Sequence, residues 1–347
     1  MKPALTTRTP LAPADPAASA AAVVRGRRLP GIGLILAALL LAAVASLLLG
    51  AEWVPPTALF DDGSFGHAIL ENRIARTAIA FAVGGALALG GACLQGLTRN
   101  PLADPGLLGL NAGAAFAVVV ALVYVGATGL DSLLWAAFIG AALAAIAVHG
   151  VAAIGRDGAT PAKLVLAGAA LTAALTSWTS GILLMDHKGL EVFRQWQVGT
   201  IGSDWGDLAI CAPFLVIGAV MALLGARVLD ALALGDDLAK GLGRRTGLDR
   251  VFVGIAVVLL SGTATALVGP VAFVGLVVPH AVRALVGPSY TLVLPLSIVA
   301  GAALTAFADA LGRVVLPPTE VQVGIMTAVV GVPAFIWFLR RGRMAGL

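Results

Sequence analysis

Three arginines and one aspartate stand where a strongly apolar chain would ordinarily carry no charge. Arg73 and Arg76 lie three residues apart at the head of a long apolar run, and Arg313 follows Asp309 by four residues near the end of another. Spacings of three and four place side chains on one helical face, so the first pair forms a cationic surface and the second an intrahelical ion pair. Groups of this kind do recognition chemistry: a cationic collar steers an acidic partner and fixes its register more than it adds affinity. Snorkelling to lipid headgroups is the other use such arginines have. A second set is neutral. Thr172, Thr176, Thr179 and Ser180 recur on one face of an apolar segment, with Ser177 and Trp178 beside them. Hydroxyls in that setting either bond the carbonyl four residues back or line a path for cargo that must pass without being held tightly.

A third set lies in the polar loop 226–250, ARVLDALALGDDLAKGLGRRTGLDR, whose Leu and Ala spacing permits a short amphipathic helix. Within it Asp237, Ala239, Leu242 and Gly243 form an acidic–small–glycine pattern, set among basic residues that a solvated loop would carry anyway. Bond-making chemistry has no candidates. There is no G-x-x-x-x-G-K-[ST] phosphate loop, no H-E-x-x-H and no G-x-S-x-G, so no catalytic residue and no route to ATP hydrolysis are expected on this chain. His280 has no His or Cys partner at ligand spacing, and Cys93 and Cys211 sit inside apolar runs as packing residues, so no metal site is expected. Asp309 is the one fair candidate for an ion site within a span, and Arg313 one turn away favours a structural pair.

The elements that must position these groups follow from composition. The chain has 347 residues, 59% hydrophobic and 12% charged, with a mean hydropathy of +0.99. No soluble protein of this length hides so much apolar surface, so lipid is the solvent. The fold class expected is all-α and polytopic, with about ten membrane-spanning helices near 31–50, 76–97, 107–127, 133–154, 164–185, 208–226, 251–268, 271–282, 292–312 and 323–339. Two interrupted segments, 97–106 and 267–280, are compatible with an inverted repeat. Residues 1–29, rich in Ala, Pro and Thr, read as a disordered cytoplasmic tail, and residues 30–342 as the transmembrane domain. With both termini in the cytoplasm, 17 of the 22 Lys and Arg residues face inward and only Arg73, Arg76, Lys188, Arg194 and Arg313 face outward. That is the positive-inside asymmetry, and it accounts for the net charge of +4 without nucleic acid as a partner.

One motif joins the second and third spans: GACLQGLTRNPLADPGLLG, residues 91–109. Ala82, Ala86 and Gly90 precede it as a flat stripe for close helix contact, and Gly109 and Gly113 continue such packing. Asn100 and Pro101 stop a helix, while Asp104, Pro105 and Gly106 turn the chain, so the segment reads as a conformational joint.

With RIAR at 73–76, LGDDLAKGLG at 234–243, FVGLVVPH at 273–280 and VQVGIMTAVVGVPAFIWFLRR at 321–341, this motif resembles, in order and over residues 30–342, the permease subunits of bacterial ATP-binding-cassette importers for ferric siderophores, haem and cobalamin. RIAR departs from the family's RLPR in having Ala75 in place of proline. The resemblance implies that Arg73, Arg76 and Arg313 dock a periplasmic or lipid-anchored substrate-binding protein. It implies that Asp237, Ala239, Leu242 and Gly243 engage ATPase subunits, which would hold the ATP and Mg that this chain does not. It also implies a second permease subunit, identical or paralogous, and an inner-membrane location with a pathway beside the Thr172–Ser180 face. A ferric siderophore is the expected cargo, with haem or cobalamin as alternatives. An ion-coupled secondary transporter relying on Asp309 is the rival of a different class.

Overall fold

The computed structural model describes residues 16–50, 52, 54–61, 63–127, 130–154, 160–202 and 204–340. Thirteen helices and no strand occur among these residues: α1 (Pro16–Leu48), α2 (Phe65–Thr98), α3 (Leu110–Val120), α4 (Leu130–Ala152), α5 (Pro161–Met185), α6 (His187–Gln197), α7 (Trp205–Leu224), α8 (Ala226–Ala233), α9 (Asp236–Gly241), α10 (Thr246–Val268), α11 (Val274–Val286), α12 (Tyr290–Val315) and α13 (Val323–Arg340). Short 3₁₀ turns at Pro56–Phe60 and Pro105–Leu108 and a π turn at Ala121–Val125 complete the set. Seven of the helices are long and apolar enough to cross a bilayer, and α3 with its π turn, α11 and α13 are shorter apolar helices, which together match the ten expected.

Helix α1 starts at Pro16, inside the segment expected to be a tail to residue 29; the alanine run at 20–22 carries high helix propensity into it. Residues 1–15 lie outside the described residues. Helix α2 starts at Phe65 rather than near 76 because the Ser64 hydroxyl accepts the His67 N–H at 3.1 Å and caps it. The consequence matters for function: Arg73 and Arg76 fall about two to three turns inside a helix instead of at its exposed beginning.

The bundle is built around α2, 83% of whose apolar window is buried, whereas α5 is buried over only 17%. So deep a helix can have neighbours on every side only if its side chains are small. The glycine pattern follows this need, and not the single 82–86–90 stripe that spacing suggests. A methyl group on Gly84 would overlap the Gly301 carbonyl of α12, and one on Gly91 would overlap Gly275 at the start of α11. The Gln95 amide donates to the Gly275 and Leu276 carbonyls at 3.1 and 3.3 Å, and Gly275 also lies against Pro105, so the two interrupted segments of the chain meet at one place.

The 97–109 joint forms as the residue types dictate. Arg99 ends α2 in the left-handed region, Asn100 accepts the Leu102 N–H at 2.9 Å, and Asp104 accepts the Gly106 N–H at 2.9 Å with Pro105 opening the 3₁₀ turn. Gly109, at φ +74°, then starts α3, where a side chain would be strained.

Candidate functional site: collar, cavity and loop

At the collar end the four charged residues form one network. The Arg73 guanidinium donates to the carbonyls of Leu47 and Glu52 at 3.1 and 2.7 Å, and so caps the end of α1. Arg76 makes a forked contact with Asp309, Nε to Oδ2 at 3.0 Å and Nη2 to Oδ1 at 2.9 Å, and reaches Glu320 at 2.7 Å. Arg313 donates to the Ser46 carbonyl at 2.8 Å and lies 3.3 Å from Asp309, the intrahelical pair expected from spacing. Ser46 and Thr77 share a hydrogen bond at 2.7 Å. Helices α1, α2 and α12 are thereby tied at one level.

This arrangement corrects the picture of three arginines held outward. Arg73 and Arg313 are 7% and 3% exposed, and only Arg76, with Glu320 beside it, approaches the surface. It also removes the ion-site reading of Asp309, which is 1% exposed and already neutralised by two guanidiniums. Sequence reasoning found the Asp309–Arg313 pair but missed the Arg76–Asp309 contact, whose partners are 233 residues apart and carry no local signal.

The hydroxyl face of α5 borders a cavity. Thr172, Thr176, Thr179 and Ser180 all line one cavity of about 1010 Å³ between α3, α5, α6 and α13. Ser180 returns its hydroxyl to the Thr176 carbonyl at 2.9 Å, so its proton is spent within the helix while its oxygen can still accept. Thr179 is buried in the wall, and its hydroxyl meets no partner among the described residues. Helix α6, which sequence reading did not single out, closes one side of the cavity. Asp186 caps it by accepting the N–H groups of Lys188 and Gly189 at 3.0 and 3.1 Å, and Leu190, Phe193, Arg194 and Gln197 then fall on its cavity face. The amphipathic pattern of residues 187–197 was the available signal.

At the opposite end α8 and α9 carry the loop. Helix α9 closes in a Schellman motif: the Arg244 N–H bonds the Ala239 carbonyl at 3.1 Å, the Gly243 N–H bonds the Lys240 carbonyl at 2.9 Å, and Gly243 takes φ +78°. Gly243 is therefore required by backbone geometry, and Ala239 by close packing, since it is fully buried. Asp237 and Leu242 are exposed. Leu234, Leu238 and Leu242, at four-residue intervals, are 60%, 62% and 65% exposed on a segment too polar to enter lipid. The regular spacing of these leucines was readable; that they lie outside the bundle was not.

Asp236 anchors this helix to the rest of the molecule. It accepts from Arg250 of α10 at 2.8 and 2.9 Å and pairs with Arg99 of the joint after α2. Burial would raise its carboxyl, but the hydrogen bonds and charges of Arg250 and Arg99 outweigh this and hold it below the usual carboxylate range. Asp230 accepts the Tyr290 N–H at 2.8 Å and so joins α8 to the start of α12. The loop is connected to three core helices through two carboxylates.

Ten apolar helices, a hydroxyl-lined cavity beside α5 and a polar loop carrying exposed leucines define a multi-pass membrane protein. The chain belongs to the FecCD transport family, whose match spans residues 38–341. It is similar to the ferric enterobactin transport system permease protein FepD of Escherichia coli (strain K12), with 40% identity covering 94% of this chain and 98% of FepD. It is also 40% identical to the probable siderophore transport system permease protein YfiZ of Bacillus subtilis (strain 168), over 81% of this chain and 85% of YfiZ. Among solved structures, one described as an inward-facing metal-chelate type ABC transporter matches with a TM-score of 0.79 at 25% identity, covering 90% of this chain and 98% of that one.

Proposed function

We propose that this chain is the permease subunit of an ATP-driven importer that carries a metal chelate, with a ferric siderophore as its cargo. The observation that carries the reading is the cavity lined by Thr172, Thr176, Thr179 and Ser180, in a chain whose FecCD match covers nearly the whole described bundle. Its volume of about 1010 Å³ suits a bulky chelate, and neutral hydroxyls let such a cargo pass without a deep binding minimum. The names of FepD and YfiZ support the siderophore assignment over haem or cobalamin.

ATP and Mg belong, on this reading, to separate ATPase subunits that seat on Leu234, Leu238 and Leu242 at the cytoplasmic side. Closure of those subunits pushes α9, and the Asp236 anchor passes the push to the 97–109 joint and α10. A substrate-binding protein docks at the opposite face, where Arg76 beside Glu320 is the collar arginine best placed to meet it; Arg73 and Arg313 fix the helices beneath. The sparsely buried α5 packs against a second permease subunit in the inner membrane, and both termini face the cytoplasm, a reading the distribution of Lys and Arg supports. The direct test is uptake of radiolabelled ferric siderophore into proteoliposomes holding the complete importer. ATP-dependent accumulation abolished by omitting the ATPase supports the reading; accumulation driven by a proton gradient without ATP refutes it.

A further inference from the structure

The cavity contains a single charged residue among the described side chains that line it, Arg194. It sits in the last turn of α6, exposed, on the face that also carries Phe193 and Gln197. Of the outward-facing cations expected from sequence, Arg73, Arg76 and Arg313 are consumed by carbonyls and carboxylates. Among the described residues Arg194 forms no ion pair, although Glu191 stands one turn earlier on the same helix. Neither Glu191 nor Lys188 lines the cavity. The end of α6 is electrostatically suited to a cation, so the helix supports the guanidinium's charge without occupying its donors. Five N–H donors in a planar fork face a space otherwise walled by hydroxyls, the amides of Asn111 and Gln197, and apolar groups.

A second observation points the same way. Thr179 is buried in that wall with no partner for its hydroxyl among the described residues, whereas Ser177 and Ser180 have turned their protons back to the carbonyls of Ala173 and Thr176 at 2.8 and 2.9 Å. A lone cation, an unspent hydroxyl and the Gln197 amide offer donors and no carboxylate. Such a wall favours a cargo whose outer atoms are anionic oxygens over a cationic one.

We propose that Arg194 is a specificity-determining residue of the pathway and that the cargo is a chelate of net negative charge, a ferric complex of carboxylate or catecholate ligands rather than a neutral hydroxamate complex. This deepens the permease reading and rests on it. The test uses the complete importer in proteoliposomes. Its probes are ferric citrate, a ferric tris-catecholate and a neutral ferric trihydroxamate, and it measures iron delivered per ATP hydrolysed for the wild type and for R194K, R194Q, R194E and the control K188E. The expected result is delivery of the anionic probes, lowered roughly tenfold or more by R194E, less by R194Q, and largely kept by R194K and K188E. Equal losses in R194Q and R194E, losses as large in K188E, or no loss at all would overturn the role of Arg194. Preferred delivery of the neutral probe by the wild type would overturn the charge assignment. A wild type that delivers no iron probe at all would strike the permease reading itself, and so is distinguishable from failure of this inference.

Discussion

The two ends of the molecule use the same residue types in opposite ways. At the collar end Arg73 and Arg313 are drawn inside with Arg76 at their edge, and the three guanidiniums tie α1, α2 and α12 to one another through the carbonyls at the end of α1 and through Asp309. At the loop end Asp236 remains partly exposed between Arg99 and Arg250, and beside it Leu234, Leu238 and Leu242 are exposed. Charge turned inward makes a rigid seam. A half-exposed clamp beside exposed leucines is the arrangement that would serve, under the proposed function, as a lever. The difference shows that an ionic motif at a membrane boundary does not announce its own task; burial decides whether it is a lock or a handle.

Breaking the lock should have the largest effect. Asp309→Ala leaves the buried Arg313 guanidinium without its counter-charge and Arg76 with Glu320 alone, and removal of one partner from a buried pair costs about 3–5 kcal/mol. A marked fall in the thermal midpoint of the detergent-solubilised chain is expected, with Asp309→Glu partly restoring it; an unchanged midpoint would show that the seam is not a lock. At the other end Leu238→Glu should leave the midpoint nearly unchanged and weaken ATPase capture by roughly tenfold or more, since a central apolar anchor is worth about 2 kcal/mol or more. Equal capture by the variant in a pulldown would sever the stripe from the partner.

Smaller effects sharpen the contrast. Gly243→Ala keeps space around the residue but strains its left-handed backbone by about 1–2 kcal/mol. It should lower coupled transport more than thermal stability, as measured by uptake per ATP hydrolysed. The pH response is the finest test. Because the Asp236 carboxyl is held below its ordinary value, the clamp's contribution is fully present above the unfolded pKa of about 3.9 and is lost as pH falls through the lower folded value. Coupling through the loop should therefore be flat from about pH 5 upward, and Asp236→Asn should mimic acid at neutral pH. A coupling ratio that changes across neutral pH in the wild type but not in Asp236→Asn would contradict this.

Much of the fold could be read from sequence because hydropathy and helix punctuation are local. The ten apolar segments, the joint at Asn100–Gly106 and the hydroxyl face of α5 all emerge from spacing within about thirty residues. What escaped reading depends on distance along the chain or on depth. Arg76 and Asp309 are neighbours only after α2 and α12 pack, and Arg73 is buried because the cap at Ser64 moves the helix start back to Phe65. Similarly, Asp237 carries the family-like spacing, yet its neighbour Asp236 makes the contacts. Adjacent carboxylates are equivalent in a pattern; the turn of the helix distinguishes them.

The central claim is that the chain is a passive conduit moved through its α9 loop. The most direct measurement compares ATP-driven uptake of a ferric chelate by the complete importer carrying either wild-type chain or Leu238→Glu, with the permease alone as a third sample. The account predicts accumulation for the first, near-background uptake for the second and neither ATP turnover nor accumulation for the third. Full accumulation with Leu238→Glu, or any ATP hydrolysis by the isolated chain, would contradict it.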